Sequence, residues 1–178
     1  QGPGRSIKGM CALSELSLEA IDAQNPTNRH KVKWAKVTAD FANPEKPLES
    51  EFDNRSGKKR VYGPVEFAMD GKEDTAWGID AGPGRRNQDR KAVFVADKPF
   101  GFPGGTILKF GFMQNHGGWN SDDNQNHNLG RFRVSTANSP DAVADPVPRR
   151  VRQLMSIPKA QRSPNQKAEI FSYWRTTV

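Results

Sequence analysis

Short segments in which apolar and polar residues alternate constrain the fold of this chain more than any other feature. The clearest is Lys31–Phe41 (KVKWAKVTADF), where valine, tryptophan, alanine and phenylalanine are spaced by lysine, threonine and aspartate. A period of two is that of a β-strand with one buried face. The phase slips at Ala35–Lys36, which predicts a β-bulge or bend within the strand.

Four more segments have the composition or the period of strands, and loops rich in Gly, Pro and Asn separate them. The chain holds 16 glycines and 13 prolines. Asn25–Pro26 predicts a turn, and residues 43–64 predict a long exposed loop. Short strands between such loops predict an all-β fold, either a sandwich or a barrel. Of the two we adopt the antiparallel β-sandwich of the jelly-roll kind. The further strands are Met10–Ala20, Lys91–Ala96, Thr106–Met113 and Leu129–Thr136.

The character of the chain changes after Pro140. We therefore predict a β-sandwich domain over residues 1–140 and a Pro-rich linker with a basic helical tail over residues 141–178. Val151–Ile157 predicts one short helix, and Ser163–Pro164 has an N-cap residue followed by proline at the first helical position. A second, amphipathic helix that packs on the body or on a neighbouring domain is indicated by Ala168, Ile170, Phe171 and Trp174.

Charge, hydropathy and the single cysteine exclude or disfavour several classes of protein. The net charge is +7, and the segment from Asp145 to Val178 carries seven basic and two acidic residues. Such charge permits nucleic-acid binding, but no motif supports it, and a solvated basic face is favoured. No apolar run approaches the ~20 residues of a membrane span. Cys11, among apolar neighbours, is interpreted as a core residue.

The segment Met69–Trp77 (MDGKEDTAW) has the most specific local pattern. The Asp70–Gly71 turn brings carboxylates, a hydroxyl and free carbonyls together, and such hard oxygens suit Ca²⁺. Trp77 then enters a strand and anchors the turn in the core. The alternative is a plain Asp-Gly turn that binds no ion.

This segment resembles the A-x-D-G-x-x-x-T-x-W signature of discoidin-like, galactose-binding modules, in which the loop holds a structural calcium. In the family, a second strand, near the C-terminus, carries an acidic residue that completes the calcium site. The similar piece here, Ser14–Leu18, lies near the start of the chain. That order implies a circularly permuted sandwich. Lys72 stands where the family often has Asn or Asp, which leaves only its carbonyl. The resemblance implies calcium ligands from Ser14 (carbonyl), Glu15, Phe67 (carbonyl), Asp70, Lys72 and Thr75.

Nearly the whole chain is similar to one segment of large planctomycete proteins that carry DUF1549 and DUF1553 (PSCyt2 and PSD1) regions and often a c-type cytochrome domain. The resemblance is carried by GPGR, ALSEL, DGKEDTAW, GRRNQDRKAVF, QNHGGWNSDDNQNHNLGRFRVS and FSYWRTTV. It implies an extracytoplasmic location, periplasmic or secreted, beside the other domains of a cytochrome-linked protein. The chain has no CxxCH motif, so we expect no haem in this segment.

The segment Gln114–Asn128 (QNHGGWNSDDNQNHN) is dense in amide, carboxylate and imidazole groups around one tryptophan. An aromatic face covers the apolar face of a sugar ring, and planar amides and carboxylates bind its hydroxyls. The alternative is a loop held by its own Asx turns. The spacing of the histidines and aspartates in this segment matches no compact zinc motif. Adjacent carboxylates rarely flank a glycosidic bond, which disfavours glycoside hydrolysis. The candidate ligand-binding residues are His116, Trp119, Asn120, Asp122, Asp123, Asn124 and His127.

A basic, glycine-rich segment over residues 82–90 adds Arg85 and Arg86 as candidates for binding anionic polysaccharide. It lacks the Gly-Lys-Ser/Thr ending, followed by a helix, that is typical of a phosphate-binding loop. A solvated loop with internal Arg–Asp pairs is the alternative. Together the patterns predict a non-catalytic carbohydrate-binding module of a larger exported protein, and not an enzyme. The competing hypothesis is a structural or docking domain of a cytochrome-linked protein, with no glycan ligand.

Overall fold

The protein is described by a computed structural model. It describes Gly4 and residues 10–47, 60–82, 88–116 and 127–177. The chain divides into two compact units, Gln1–Ala144 and Asp145–Val178. In the sequence, this division lies close to the boundary predicted at Pro140. Each unit is described by itself.

Within its described residues, the regular secondary structure of the first unit is almost all β-strand. Their bounds, within the described residues, are β1 Ala12–Leu13, β2 Glu15–Asp22, β3 Arg29–Val32, β4 Trp34–Ala39, β5 Lys46–Pro47, β6 Val61–Gly63, β7 Thr75–Gly78, β8 Ala92–Ala96 and β9 Thr106–Met113. A short 3₁₀ helix, Val65–Met69, lies between β6 and β7.

The strands form three sheets. One has the order β1-β7-β6-β5, a second has the order β3-β2-β9, and β4 pairs with β8. The mainly β fold predicted from the sequence is therefore confirmed, whereas the sandwich, its jelly-roll topology and its permutation stay predictions. The expectation of purely antiparallel pairing is wrong at one place, because β6 and β7 run parallel. Parallel pairing requires the connection from β6 to β7 to return the chain to the end of the sheet at which β6 begins. The 3₁₀ helix and the turn after it provide this connection.

The core of this unit is a cluster of buried residues from several elements: Cys11, Leu13, Val37, Val65, Ala68, Trp77 and Ile79. Trp77 lies on β7 as predicted, and its indole N–H donates a hydrogen bond to the Phe41 carbonyl at 3.0 Å. Cys11 is also buried, as its apolar neighbours indicated, and burial raises the pKa of its thiol to about 12. The thiol is therefore protonated near neutral pH and packs as a small apolar side chain.

Several predicted strands are confirmed and one is wrong. Thr106–Met113 is strand β9, and the predicted bulge lies between Trp34 and Lys36. The strand predicted over Leu129–Thr136 does not form: Leu129 makes one isolated bridge to Gly4, and the rest of that segment lies outside any sheet. Alternation gives such a segment two faces, but a strand also needs a neighbour with free backbone groups.

The second unit contains helix α1, Arg149–Met155, a 3₁₀ turn at Lys159–Gln161 and helix α2, Pro164–Thr177. Both predicted helices are therefore present. The start of α2 has a reciprocal cap, in which the Gln166 N–H donates to the Ser163 hydroxyl and the Ser163 N–H donates to the Gln166 side-chain oxygen. Among the described residues, no helix is long and apolar enough to cross a bilayer.

Candidate functional site

The Asp70–Gly71 turn brings together residues that are distant in the sequence. The Gly71 N–H donates to a Glu15 carboxylate oxygen at 2.6 Å, and Gly71 adopts a φ of 78°, which favours glycine. Asp70 accepts from the Lys72 N–H at 2.9 Å and from the Thr75 hydroxyl at 2.9 and 3.0 Å. The start of β2, the turn and the start of β7 therefore share one cluster of oxygen atoms.

Electrostatics disfavour the ionised form of Glu15 in this cluster. The pKa of Glu15 is raised above its ordinary value, first by partial burial and then by the charge and the side-chain hydrogen bond of Asp70. The Gly71 N–H, which donates to the carboxylate, opposes that shift. A bound cation would favour the ionised form of both carboxylates.

The donor set of this cluster meets part of what calcium requires. Two carboxylates and the Thr75 hydroxyl are hard oxygen ligands, and Ca²⁺ takes six to eight of them. Each proposed carbonyl ligand is close in sequence to one of the two carboxylates. Ser14 directly precedes Glu15, and Phe67 lies in the 3₁₀ helix just before Asp70. Within the described residues, no group of three or more His, Cys, Asp or Glu side chains is assembled. The oxygens fit a weak calcium site in which carbonyls and water supply most of the ligands.

A second cluster, the Ser14 clamp, holds the first end of the Gln114–Asn128 segment. The Ser14 hydroxyl accepts a hydrogen bond from the Asn115 N–H at 3.1 Å and lies 3.3 Å from Nδ1 of His116. Nε2 of His116 lies 2.9 Å from the Val61 carbonyl. Because a carbonyl can only accept, Nε2 carries the proton and Nδ1 accepts from Ser14. Burial, the largest effect, lowers the pKa of His116, which agrees with this neutral form.

The other end of the segment is held beside the same strand. The His127 carbonyl accepts from the Ala12 N–H at 2.9 Å, and the Leu129 N–H donates to the Gln114 side-chain oxygen at 2.7 Å. Residues 12 and 14 therefore hold the chain where it enters and where it leaves residues 117–126. These contacts define a neck that includes β1, Ser14, His116 and His127.

The structure changes the interpretation of two predicted ligand-binding residues. His116 is only 1% exposed, and both of its ring nitrogens are engaged within the protein. His127 is also buried. Both residues therefore belong to the neck, and their part in ligand binding stays a prediction. The other candidates lie outside the described residues, namely Trp119, Asn120, Asp122, Asp123, Asn124, Arg85 and Arg86.

Sequence reasoning named Ser14 only as a carbonyl ligand for calcium and missed its hydroxyl, whose partners Asn115 and His116 are about a hundred residues away. The signal was weak: one serine within an apolar run, in a segment that was interpreted as a single strand. It also missed an open cleft of about 290 Å³ beside β3. Three lysines, one histidine, one carboxylate and one aromatic ring line much of that cleft: Lys31, Lys33, Lys98, His30, Asp97 and Phe100.

No protein-family model, curated protein or solved structure matches this chain. The resemblances to discoidin-like modules and to the planctomycete segment therefore stay predictions.

Proposed function

We propose that this chain is a non-catalytic carbohydrate-binding module that tethers a larger exported protein to polysaccharide. The observation that supports it best is the neck, which fixes both ends of the segment richest in sugar-compatible side chains. Binding residues are often carried on loops that a rigid scaffold positions. Here the scaffold includes a buried Ser–His–carbonyl network and hydrogen bonds to β1.

An anionic polysaccharide is the preferred ligand class. The cleft beside β3 has more cationic than anionic groups, with Lys31, Lys33 and Lys98 against Asp97. Phe100 is exposed at its edge, so an apolar ring and ammonium groups are available together. Carboxylated or sulfated sugars offer both an apolar ring face and negative charge. The cleft therefore supports binding of an acidic chain in addition to contacts from residues 117–126.

Calcium has a structural part in this proposal. The ion would be held by Glu15, Asp70 and Thr75, with carbonyls that the discoidin-like resemblance assigns to Ser14, Phe67 and Lys72. It would neutralise the carboxylate pair and tie β2 to the start of β7. Because Ser14 and Glu15 are adjacent, this site and the neck share one piece of backbone.

The proposal is tested by a glycan array that includes uronate-containing and sulfated polysaccharides, followed by titration of each polysaccharide that binds. Trp119→Ala should weaken binding at least about tenfold, equivalent to about 1.4 kcal/mol, with an unchanged thermal midpoint. The matched control is Trp174→Ala, which removes an exposed tryptophan from the second unit. Binding that survives Trp119→Ala, or the absence of any glycan ligand for the wild type, would refute the proposal.

A further inference from the structure

Helix α2 exposes its largest apolar side chains. Phe171 and Trp174 are 55% and 54% exposed, and their rings stack with centroids 5.7 Å apart and planes 22° from parallel. Residues three apart in a helix share a face. The half-buried residues Gln166, Ile170 and Tyr173 lie on another face of the helix. The two aromatic rings therefore form a small apolar surface, the α2 aromatic face.

Basic side chains bracket this face. Lys167 and Arg175 lie four residues before and after Phe171, so both are on the same side of the helix. The Arg175 guanidinium lies over the Phe171 ring, 5.3 Å from its centroid. Both side chains are exposed. The face thus has an apolar centre one turn long with a positive charge at each end.

The two acidic residues of this unit do not neutralise the face. Glu169 forms a two-pronged ion pair with Arg150, with nitrogen–oxygen distances of 3.1 and 3.4 Å. Asp145 forms an ion pair with Arg152. Over residues 145–178 the basic residues outnumber the acidic ones by five, and Lys167 and Arg175 belong to that excess. The α2 aromatic face is therefore complementary to negative charge.

We propose that the α2 aromatic face binds an acidic amphipathic segment of another protein or domain, one that offers apolar side chains between carboxylates. An amphipathic helix commonly binds by laying its apolar face against an apolar surface of its partner. A second copy of this face would bring like charges together. A bilayer surface suits a longer apolar stripe, whereas this one extends about 4.5 Å along the helix. The inference does not depend on the proposed glycan binding.

The test uses three probes with the full chain: a labelled helical peptide of Leu and Glu, its Leu and Lys counterpart, and phosphatidylglycerol vesicles. The acidic peptide should bind with an affinity that falls as salt is added, because its ion pairs are exposed. Phe171→Ala with Trp174→Ala should weaken that binding at least tenfold without loss of helix content by circular dichroism. Phe132→Ala removes an equally exposed aromatic ring from the first unit and should leave binding unchanged.

Charge reversal supplies a second, independent arm. Lys167→Glu with Arg175→Glu should reverse the preference, so that the basic peptide binds more tightly than the acidic one. The proposal is overturned if the wild type ignores the acidic peptide, binds both peptides equally, or sediments only with vesicles. Self-association that Phe171→Ala and Trp174→Ala abolish would also overturn it. Trp119→Ala should leave peptide binding intact, which separates this surface from the glycan site.

Discussion

Replacement of Ser14 by alanine should test the neck directly. Ser14 is fully buried, and its hydroxyl forms two hydrogen bonds, one from the Asn115 N–H and one to Nδ1 of His116. Alanine would leave both groups without this partner, Nδ1 of His116 in a buried environment and the Asn115 N–H in a partly buried one. An unsatisfied buried polar group costs roughly 1–3 kcal/mol. Because the two bonds are long, at 3.1 and 3.3 Å, we take the lower end for each and expect a loss of about 2 kcal/mol.

Such a loss should lower the thermal midpoint by about 4–8 °C for a chain of this size. It is measured by thermal and urea unfolding at neutral pH, followed by circular dichroism. The matched control is Ser17→Ala, because Ser17 lies exposed on the adjoining strand β2 and should change stability by less than about 0.5 kcal/mol. If Ser14→Ala is no more destabilising than Ser17→Ala, the buried clamp is not a source of stability and the reasoning fails.

Four more predictions concern two titratable groups, the calcium site and the helix cap. The lowered pKa of His116 predicts that its contribution to stability is present above its ordinary pKa and is lost as the pH falls through the lower, folded value; unfolding free energies from pH 8 to 5 should show this loss, and His116→Gln should flatten it. The raised pKa of Glu15 has the opposite sign, with stability lost as the pH rises through the folded value; because the carboxylate is partly exposed and screened by solvent, Glu15→Gln should stabilise the EDTA-treated protein only slightly. Added calcium should raise the thermal midpoint of the wild type but not of Asp70→Asn, and an equal rise in both would exclude the site. Ser163→Ala should cost about 1 kcal/mol by removal of the α2 cap, seen as fraying in circular dichroism, whereas an unchanged spectrum and midpoint would contradict that role of the cap.

Local patterns predicted those parts of the fold in which the physical cause is itself local. The period of two identified β9 and the bulge in the strand at Trp34, because side-chain alternation depends only on neighbours in the chain. The Ser-Pro signal located the start of α2 for the same reason. The segment after Leu129 was wrong because a strand exists only where another strand supplies hydrogen bonds, and one sequence does not show which strand that is.

The candidate site shows the same division. Pairing of Glu15 with the Asp70 turn was predicted from a family pattern, and the structure brings these side chains together. His116 was predicted from composition to bind a ligand, and the structure places it in a buried hydrogen-bond network, so its part in ligand binding stays a prediction. Composition describes what a segment is able to bind, but only tertiary packing decides which of its side chains reach the surface. The Ser14 partner of His116 is 102 residues away, beyond the reach of any local pattern.

The chain crosses from one sheet to another at Ser14, so that β1 belongs to the β7 sheet and β2 to the β9 sheet. One unbroken stretch of backbone therefore carries the hydrogen bonds of both sheets. β1 is the edge strand of its sheet and β2 is the central strand of the other, so release of β1 disturbs the residue that leads into a central strand. Amide protons from residues 12–22 should for that reason exchange with solvent in a single cooperative opening rather than sheet by sheet. This crossing should therefore couple the unfolding of the two sheets through β1 and β2, the first two strands of the chain.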